Sequence, residues 1–246
     1  MNNPKISIIT ITYNSEKTLE ETIQSVITQE YDNLEYLIID GGSKDKTLEI
    51  VDKYRDKISF VISEPDKGIS DAFNKGIKYA TGEIVGIINS DDILEKDALS
   101  QIANLYDKRI DVYSGNLYCW DPSSSRNFIQ YPELEFDHLK IQYGVCHPSR
   151  FIRKDAYERW GNYNINLKYK MDIDLLVRFY RNGAMFVHID KTLARFRLGG
   201  TTSDNFSKKI PDIRAFVLAN GWNKWDYYYV LILSYLKYVI KKILRR

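Results

Sequence analysis

Residues 84–92 read IVGIINSDD, and the fold turns on how that stretch is read. Apolar residues interrupted only by Gly86, with no charge among them, have the pattern of a strand buried on both faces. Asn89, Ser90, Asp91 and Asp92 follow at once, so they emerge together at the strand's carboxyl end, where open parallel sheets bind their ligands. Two adjacent carboxylates repel each other unless positive charge lies beside them. A hard divalent cation suits them, because Mg²⁺ or Mn²⁺ takes oxygen ligands and can share them with a diphosphate. The alternative here is that Asp91 or Asp92 caps a helix starting near Glu95, since Ser, Asp and Asn are favoured N-caps.

Working back from this strand, helix and strand patterns alternate. Residues 5–13 are a β-branched run that at this length predicts a strand. Leu19, Ile23, Val26 and Ile27 recur at helical spacing over 18–29, with Glu20 and Glu21 near the positive end of the dipole. LEYLIID (34–40) predicts a second buried strand ending in the turn GGSKD. A short helix over 47–54, a strand over 58–63, the breaker EPDKG and a helix over 70–80 complete the run. Such alternation predicts an α/β fold, with a mostly parallel sheet, helices on both faces and right-handed crossovers. The turn after the first strand, TYNSEKT, has no glycine. A dinucleotide fingerprint needs glycines there for the backbone to approach a pyrophosphate, so an NAD or FAD enzyme is disfavoured.

The chain has 246 residues, enough for one large α/β domain or a domain with an appended subdomain. Its net charge of +2 excludes a general polyanion binder, and no nucleic-acid partner is expected. Cys119 and Cys146 have neither metal-site nor redox-motif spacing, and MNNPKISIITITY lacks a basic region followed by a long apolar one. The expected compartment is the reducing cytoplasm.

Forward of residue 110 come a strand, the polar loop CWDPSSSRN, and QYGVCH leading to a helix over 155–160. A further helix is expected to begin near Asp172. Residues 186–189 and 192–198 predict a hairpin joined by Asp190-Lys191, followed by the glycine-rich GGTTSDN. In the tail, WNKWDYYYVLILSYLKYVIKKILRR, a helix would place Trp225, Tyr229, Ile232, Leu236, Val239 and Ile243 on one stripe. The last acid is Asp226, and Lys237, Lys241, Lys242, Arg245 and Arg246 follow it. The uncharged run 227–236 is far short of the roughly 20 residues that span a bilayer. Aromatic residues and bases on one amphipathic helix predict a peripheral anchor on an anionic membrane surface. Packing on its own domain, or on a second subunit in a homodimer, is the alternative.

SIITITYNSEKTLEETIQSVITQ, YLIIDGGSKDKT, EPDKGISDAFNKGI and ATGEIVGIINSDD, in that order, resemble the inverting family-two glycosyltransferases of the GT-A fold, especially bacterial ones that build surface polysaccharide. The likeness is close over residues 1–95 and looser in HPSRFIRKDAYERWGNYN, KYKMDIDLLVRFYRNGA and FRLGG. It implies a GT-A type, Rossmann-like sheet over 1–221, with a nucleotide-sugar half (1–109), an acceptor half (110–221) and the amphipathic helix 222–246. The implied reaction moves a sugar from a nucleoside diphosphate sugar, such as a UDP-sugar, to a saccharide or lipid-linked saccharide, at the inner face of the cell membrane. Two other readings are a non-catalytic sugar-nucleotide-binding module and a sugar nucleotidyltransferase. The latter wants a glycine-rich basic loop that TYNSEKT lacks.

By the same resemblance, Thr12, Tyr13 and Asp40 hold the base and ribose, Tyr13 as a stacking face and Asp40 as an acceptor. The alternative for Asp40 is a turn-forming residue. Gly41 stands where many relatives carry a second Asp. Asp66 and Asn74 are expected donor contacts, whereas Lys75 reads as a solvated helix face and Asp71 as a residue favouring the helix dipole. The family's Asp-x-Asp metal motif is here Asn89-Ser90-Asp91 followed by Asp92, which makes Asp91 and Asp92 the expected ligands of Mg²⁺ or Mn²⁺, and Asn89 and Ser90 donor contacts. Arg195, Arg197 and Thr201 are candidates for covering the diphosphate, with a surface loop as the alternative. His147 is expected on the acceptor side, or as a structural residue. Asp172 aligns with the catalytic base at a helix start, with an ordinary N-cap as the alternative.

Overall fold

A computed structural model describes residues 3–136, 147–199 and 206–243. In chain order the strands are β1 (Ile6–Thr12), β2 (Leu34–Asp40), β3 (Phe60–Ser63), β4 (Ile84–Asn89), β5 (Ile93–Leu94), β6 (Val112–Trp120), β7 (Asn127–Gln130), β8 (Arg150–Arg153) and β9 (Phe186–Arg197). The helices are α1 (Leu19–Ile27), α2 (Thr47–Lys53), α3 (Ile69–Tyr79), α4 (Ala98–Asn104), α5 (Lys154–Trp160), α6 (Met171–Arg181), α7 (Ile210–Ala219) and α8 (Lys224–Ile243). One sheet runs in the order β3-β2-β1-β4-β8-β6-β9-β5, with β7 on the side of β6. Its β3-β2-β1-β4 half is parallel throughout. β8 enters antiparallel to both β4 and β6.

Side-chain alternation sorts the apolar residues onto the two faces. Ile6, Ile8, Tyr36 and Ile38 pack with α1, α2 and α4, while Ile9, Leu37 and Ile39 pack with α3, α5 and α6. Covering both faces is what makes these strands read as continuous apolar runs. The one gap in β4 has a packing cause: a Cβ on Gly86 would stand 2.7 Å from the Phe151 ring and 2.9 Å from Ile8 Cδ1. The register sets Thr12 beside Asp40 and Asp40 beside Ser63, with Asn89 opposite Ile11, so four carboxyl ends open along one rim.

Two elements differ from the sequence expectation. Residues 186–197 form a single strand, not a hairpin: β9 stays paired with β6 along its length, and Asp190-Lys191 is absorbed as a bulge where the register shifts. The interstrand pairing on both sides of the bulge outweighs the local turn signal. The helix expected near Glu95 begins at Ala98, because residues 93–94 pair with β9 instead, so neither Asp91 nor Asp92 caps it.

α8 packs against α7 and Phe206, whose ring lies 5.3 Å from Tyr235 and 5.7 Å from Tyr238. Val230 is its buried anchor. Of the predicted stripe, Trp225, Tyr229, Ile232 and Leu236 are exposed and Val239 is half-buried, and Tyr228, Tyr235 and Ile240 add to the exposed surface. Among the described residues no helix is long and apolar enough to cross a membrane.

Candidate active site

The rim of the parallel half gathers Tyr13, Gly41 and Asp66. Tyr13 is 63% exposed just past β1 and presents its ring to solvent. A Cβ on Gly41 would stand 2.8 Å from Asp66 Oδ2 and 3.3 Å from Tyr13 Cδ2, so the glycine lets the ring and the carboxylate close on one small space. Asp66 Oδ1 accepts from Lys75 Nζ at 2.7 Å, and Oδ2 faces that space. Burial pushes the Asp66 carboxyl up, against the pull of Lys75. Lys75 is not a solvated helix residue: it bridges Asp66, Glu64 and Asp71 and also donates to the Pro65 carbonyl.

Three expected donor contacts at this rim are turned away from it, two by their own hydrogen bonds and one by burial. Asp40 is 0% exposed and accepts from the Gly42 and Ser43 amides and from the Ser43 and Ser63 hydroxyls. Its carboxylate builds the turn, which was the alternative reading, and presents nothing to a base. Thr12 is buried, with Oγ1 shut off from solvent. Asn74 spends both ends of its amide on Tyr163, donating to the carbonyl at 2.9 Å and accepting from the amide at 3.0 Å. With Ser70 Oγ, which donates to the Leu167 carbonyl, it ties α3 to the loop that leads into α6.

At the end of β4 the acidic pair separates. Asp92 is 0% exposed, and its oxygens accept from the Arg197 amide at 3.1 Å and Asn89 Nδ2 at 3.2 Å. Burial, and then the charge of Asp91, push its carboxyl well above the ordinary range. It is a structural tie between β4 and β9, which does not suit the metal role expected of it. Asp91 is partly open, with its carboxyl raised by burial and opposed by Arg197. Asn89 Oδ1 is buried with no partner among the described residues. Ser90 Oγ lies 2.8 Å from Ser15 Oγ, which holds the β4 end to the first turn. The Arg197 guanidinium is committed to the Asp91 carbonyl, to Glu21 and to the face of Trp120. Arg195 is paired with Glu95 through two bonds.

The second focus lies under α6. Asp172 and His147 border a small cavity completed by Ile87 of β4, Arg150, Ile152, Tyr157, Tyr163, Leu175 and Leu176. His147 Nδ1 lies 3.2 Å from Asp172 Oδ1, and the imidazole stacks on Phe73 at 4.9 Å and 15°. Asp172 sits in the first turn of α6 but makes no capping bond; the helix's N-cap is Lys170. Asp174, two residues on, turns to the other side, where it accepts from Asn220 Nδ2 at 2.9 Å and pairs with Arg178 at 3.6 Å. Arg178 also donates to the carbonyls of Trp160, Gly161 and Asn162, closing the end of α5. Burial, followed by Tyr157 and Asp172, pushes the Tyr163 hydroxyl far up, so it stays neutral beside the carboxylate.

Sequence reasoning passed over Gly41 as a shaping residue and Arg150 as a cavity residue. Arg150 is buried, donates to Ser114 Oγ at 2.8 Å and to the Glu133 carbonyl at 2.7 Å, and stands 5.3 Å over Phe136. Its signal was available in HPSR, since a charged residue inside an apolar strand needs partners. His188 is the strand residue expected, with Nε2 2.7 Å from Asn116 Oδ1. Thr201 with most of its glycine-rich loop, and residues 142–146, lie outside the described residues.

The family model described as glycosyl transferase family 2 matches residues 7–167. A PGL/p-HBAD biosynthesis glycosyltransferase of Mycobacterium bovis is 28% identical over 241 residues, covering 90% of this chain and 92% of that protein. The putative glycosyltransferase EpsE of Bacillus subtilis is 28% identical over 219 residues, covering 84% and 76%. Among solved structures, S. aureus TarS 1-349 in complex with UDP-GlcNAc superposes with a TM-score of 0.72 at 24% identity, over 87% of this chain and 66% of that one. The mannosyltransferase PcManGT from Pyrobaculum calidifontis, in complex with GDP-Man and Mn²⁺, gives 0.64 at 18% identity, over 88% and 63%. Both share the curled, mostly parallel α/β sheet flanked by helices. The rim of strand ends, the carboxylate in the first turn of α6 and the family match over most of the chain lead to one conclusion: this protein is a glycosyltransferase and belongs to glycosyl transferase family 2.

Proposed function

We propose that the chain is an inverting transferase that moves a sugar from a uridine diphosphate sugar to a hydroxyl of a saccharide or lipid-linked saccharide in surface polysaccharide synthesis. The observation that carries the chemistry is Asp172, an open carboxylate beside a cavity that also touches β4. In a direct displacement one base suffices. Asp172 takes the proton of the acceptor hydroxyl, that oxygen bonds to the anomeric carbon, and the bond to the diphosphate oxygen breaks with its electron pair on the leaving group. For the donor, Tyr13 offers a stacking face, and Asp66 keeps one oxygen for a base N–H because Lys75 occupies the other. One acceptor oxygen suits the single N–H of a uracil edge better than the paired donors of guanine.

Divalent metal suits the end of β4. Asp91 supplies one partly open carboxylate whose raised pKa reflects burial, and Asn89 Oδ1 is a second oxygen without a partner among the described residues. Among the described residues no group of three His, Cys, Asp or Glu side chains forms a complete shell. Mg²⁺ is commonly held this way, by one or two carboxylates with water and substrate phosphates completing the octahedron. Bound there, the ion would supply Lewis-acid neutralisation of the departing diphosphate.

The test is a nucleotide-sugar panel with Mn²⁺ and Mg²⁺, read as diphosphate release. Release from a UDP-sugar is expected. Binding without turnover would favour a sugar-nucleotide-binding module, and pyrophosphate release from a sugar phosphate plus a nucleoside triphosphate would favour a nucleotidyltransferase.

We further place the protein on the inner face of the cell membrane, with α8 lying in the interface. Its outward stripe of Trp225, three tyrosines, Ile232, Leu236 and Ile240 supports this. One of the counted bases is less available to lipid: Lys237 is half-buried, and burial pushes its ammonium down to about 8, which still leaves it mostly charged at neutral pH. The sequence beyond still carries Lys241, Lys242, Arg245 and Arg246, each worth roughly 1 kcal/mol if near an anionic leaflet. The protein is expected to float with vesicles containing anionic lipid at low salt, and Ile232→Glu/Leu236→Glu to remain at the bottom of the gradient. An intact protein that stays at the bottom removes the membrane reading. If the double variant instead halves the sedimentation mass, the stripe is a subunit contact.

A further inference from the structure

We propose that His147 is a positioning residue for Asp172, holding one oxygen of the carboxylate so that the other meets the acceptor hydroxyl; this rests on Asp172 being the base of the reaction above. Asp172 Oδ1 is shut off from solvent, while the side chain as a whole is 25% exposed. The open side of the carboxylate is therefore the Oδ2 side. Oδ1 meets His147 Nδ1 at 3.2 Å on the cavity side, close enough to become a hydrogen bond with a small rotation when substrate seats.

The imidazole is held for this purpose. Its stack on the buried Phe73 ring restrains the ring plane, and Pro148 follows it directly. Among the described residues His147 Nε2 is buried without a partner, whereas Nδ1 faces a carboxylate. A proton on Nε2 would leave that N–H buried without an acceptor and at the same time turn the Nδ1 lone pair toward the carboxylate oxygen, two unfavourable arrangements at once. The tautomer with its proton on Nδ1 is the one that fits, and it aims that proton at Asp172 Oδ1. The other polar groups of the cavity are committed: Arg150 to Ser114 and the Glu133 carbonyl, and Tyr163 to Tyr157. When Oδ2 takes the acceptor proton, the imidazole proton stays on Nδ1 and Oδ1 continues to accept it. His147 thus exchanges no proton with the substrate; it sets the angle of the carboxylate.

Three substitutions separate this role from simple packing. His147→Ala should lower kcat by about 10- to 100-fold with donor KM unchanged, the size of effect that loose orientation of a reacting group produces. His147→Asn places an amide N–H near the position of Nδ1 and should recover most of that loss. His147→Phe keeps the stack on Phe73 without a donor; it should melt with the wild type yet turn over as slowly as His147→Ala. Full activity in His147→Phe, or no recovery in a folded His147→Asn, overturns the positioning role. Asp172→Asn is measured in the same assay: if it stays active, the reading of Asp172 as the base falls and the proposal with it. If Asp172→Asn is inactive while every His147 variant is normal, the positioning role alone falls.

Discussion

Asp172→Asn is expected to lower turnover by at least about a hundredfold while donor affinity stays within about twofold of the wild type. The amide is nearly isosteric, so α6 and the cavity should remain as they are, but it cannot take a proton from the acceptor hydroxyl. In the proposed direct displacement this carboxylate is the one base, so its loss falls directly on kcat. The neighbouring acid gives a sharp contrast. Asp174 is bound to Asn220 and Arg178 on the opposite side of the helix, so Asp174→Asn should lower the melting temperature and leave kcat close to normal. Steady-state kinetics of both variants, with donor affinity from calorimetry, decide the matter. Near-normal kcat in Asp172→Asn with an inactive, folded Asp174→Asn would move the base to Asp174.

Asp91→Ala is expected to abolish the stimulation of donor binding by Mn²⁺ or Mg²⁺, and to reduce kcat/KM on the order of 100- to 1,000-fold, the range for deleting one preorganised charge partner of a leaving group. Asp92→Asn should behave differently. Its carboxyl is buried and tied to the Arg197 amide, so the loss should appear in stability before it appears in metal response. The reading fails if calorimetry on the wild type gives equal donor affinity in EDTA and in Mn²⁺. The nearby cations offer no ready substitute, since Lys75, Arg195 and Arg197 already pair with Asp66, Glu95 and Glu21 respectively. A metal-free mechanism would have to break one of those pairs.

Much of the fold was legible because it is a local property. The apolar runs at β1, β2 and β4, the helical spacing of Leu19, Ile23 and Val26, and the order of the elements are enough to place four parallel strand ends on one rim. A carboxylate in the first turn of a helix, as at Asp172, is visible for the same reason. β9 was misjudged because Asp190-Lys191 carries a turn signal, while the pairing that overrides it comes from β6, more than 70 positions away in the chain.

What the sequence by itself determined was the parallel half of the sheet, the family motifs and the chemical kinds of side chain available at the site. What only the tertiary structure decided was which of them remain free to act. Asp40 is satisfied by its own turn and by Ser63, Asn74 by the backbone of Tyr163, and Asp92 by Asn89 and the Arg197 amide. Tyr13, Asp66, Asp91 and Asp172 each keep an open face or oxygen. A polar group's availability depends on whether folding gives it a partner, and those partners lie up to 105 positions away in the chain. Composition and spacing carry no record of such pairings, because a buried carboxylate must be satisfied by whatever the fold brings beside it.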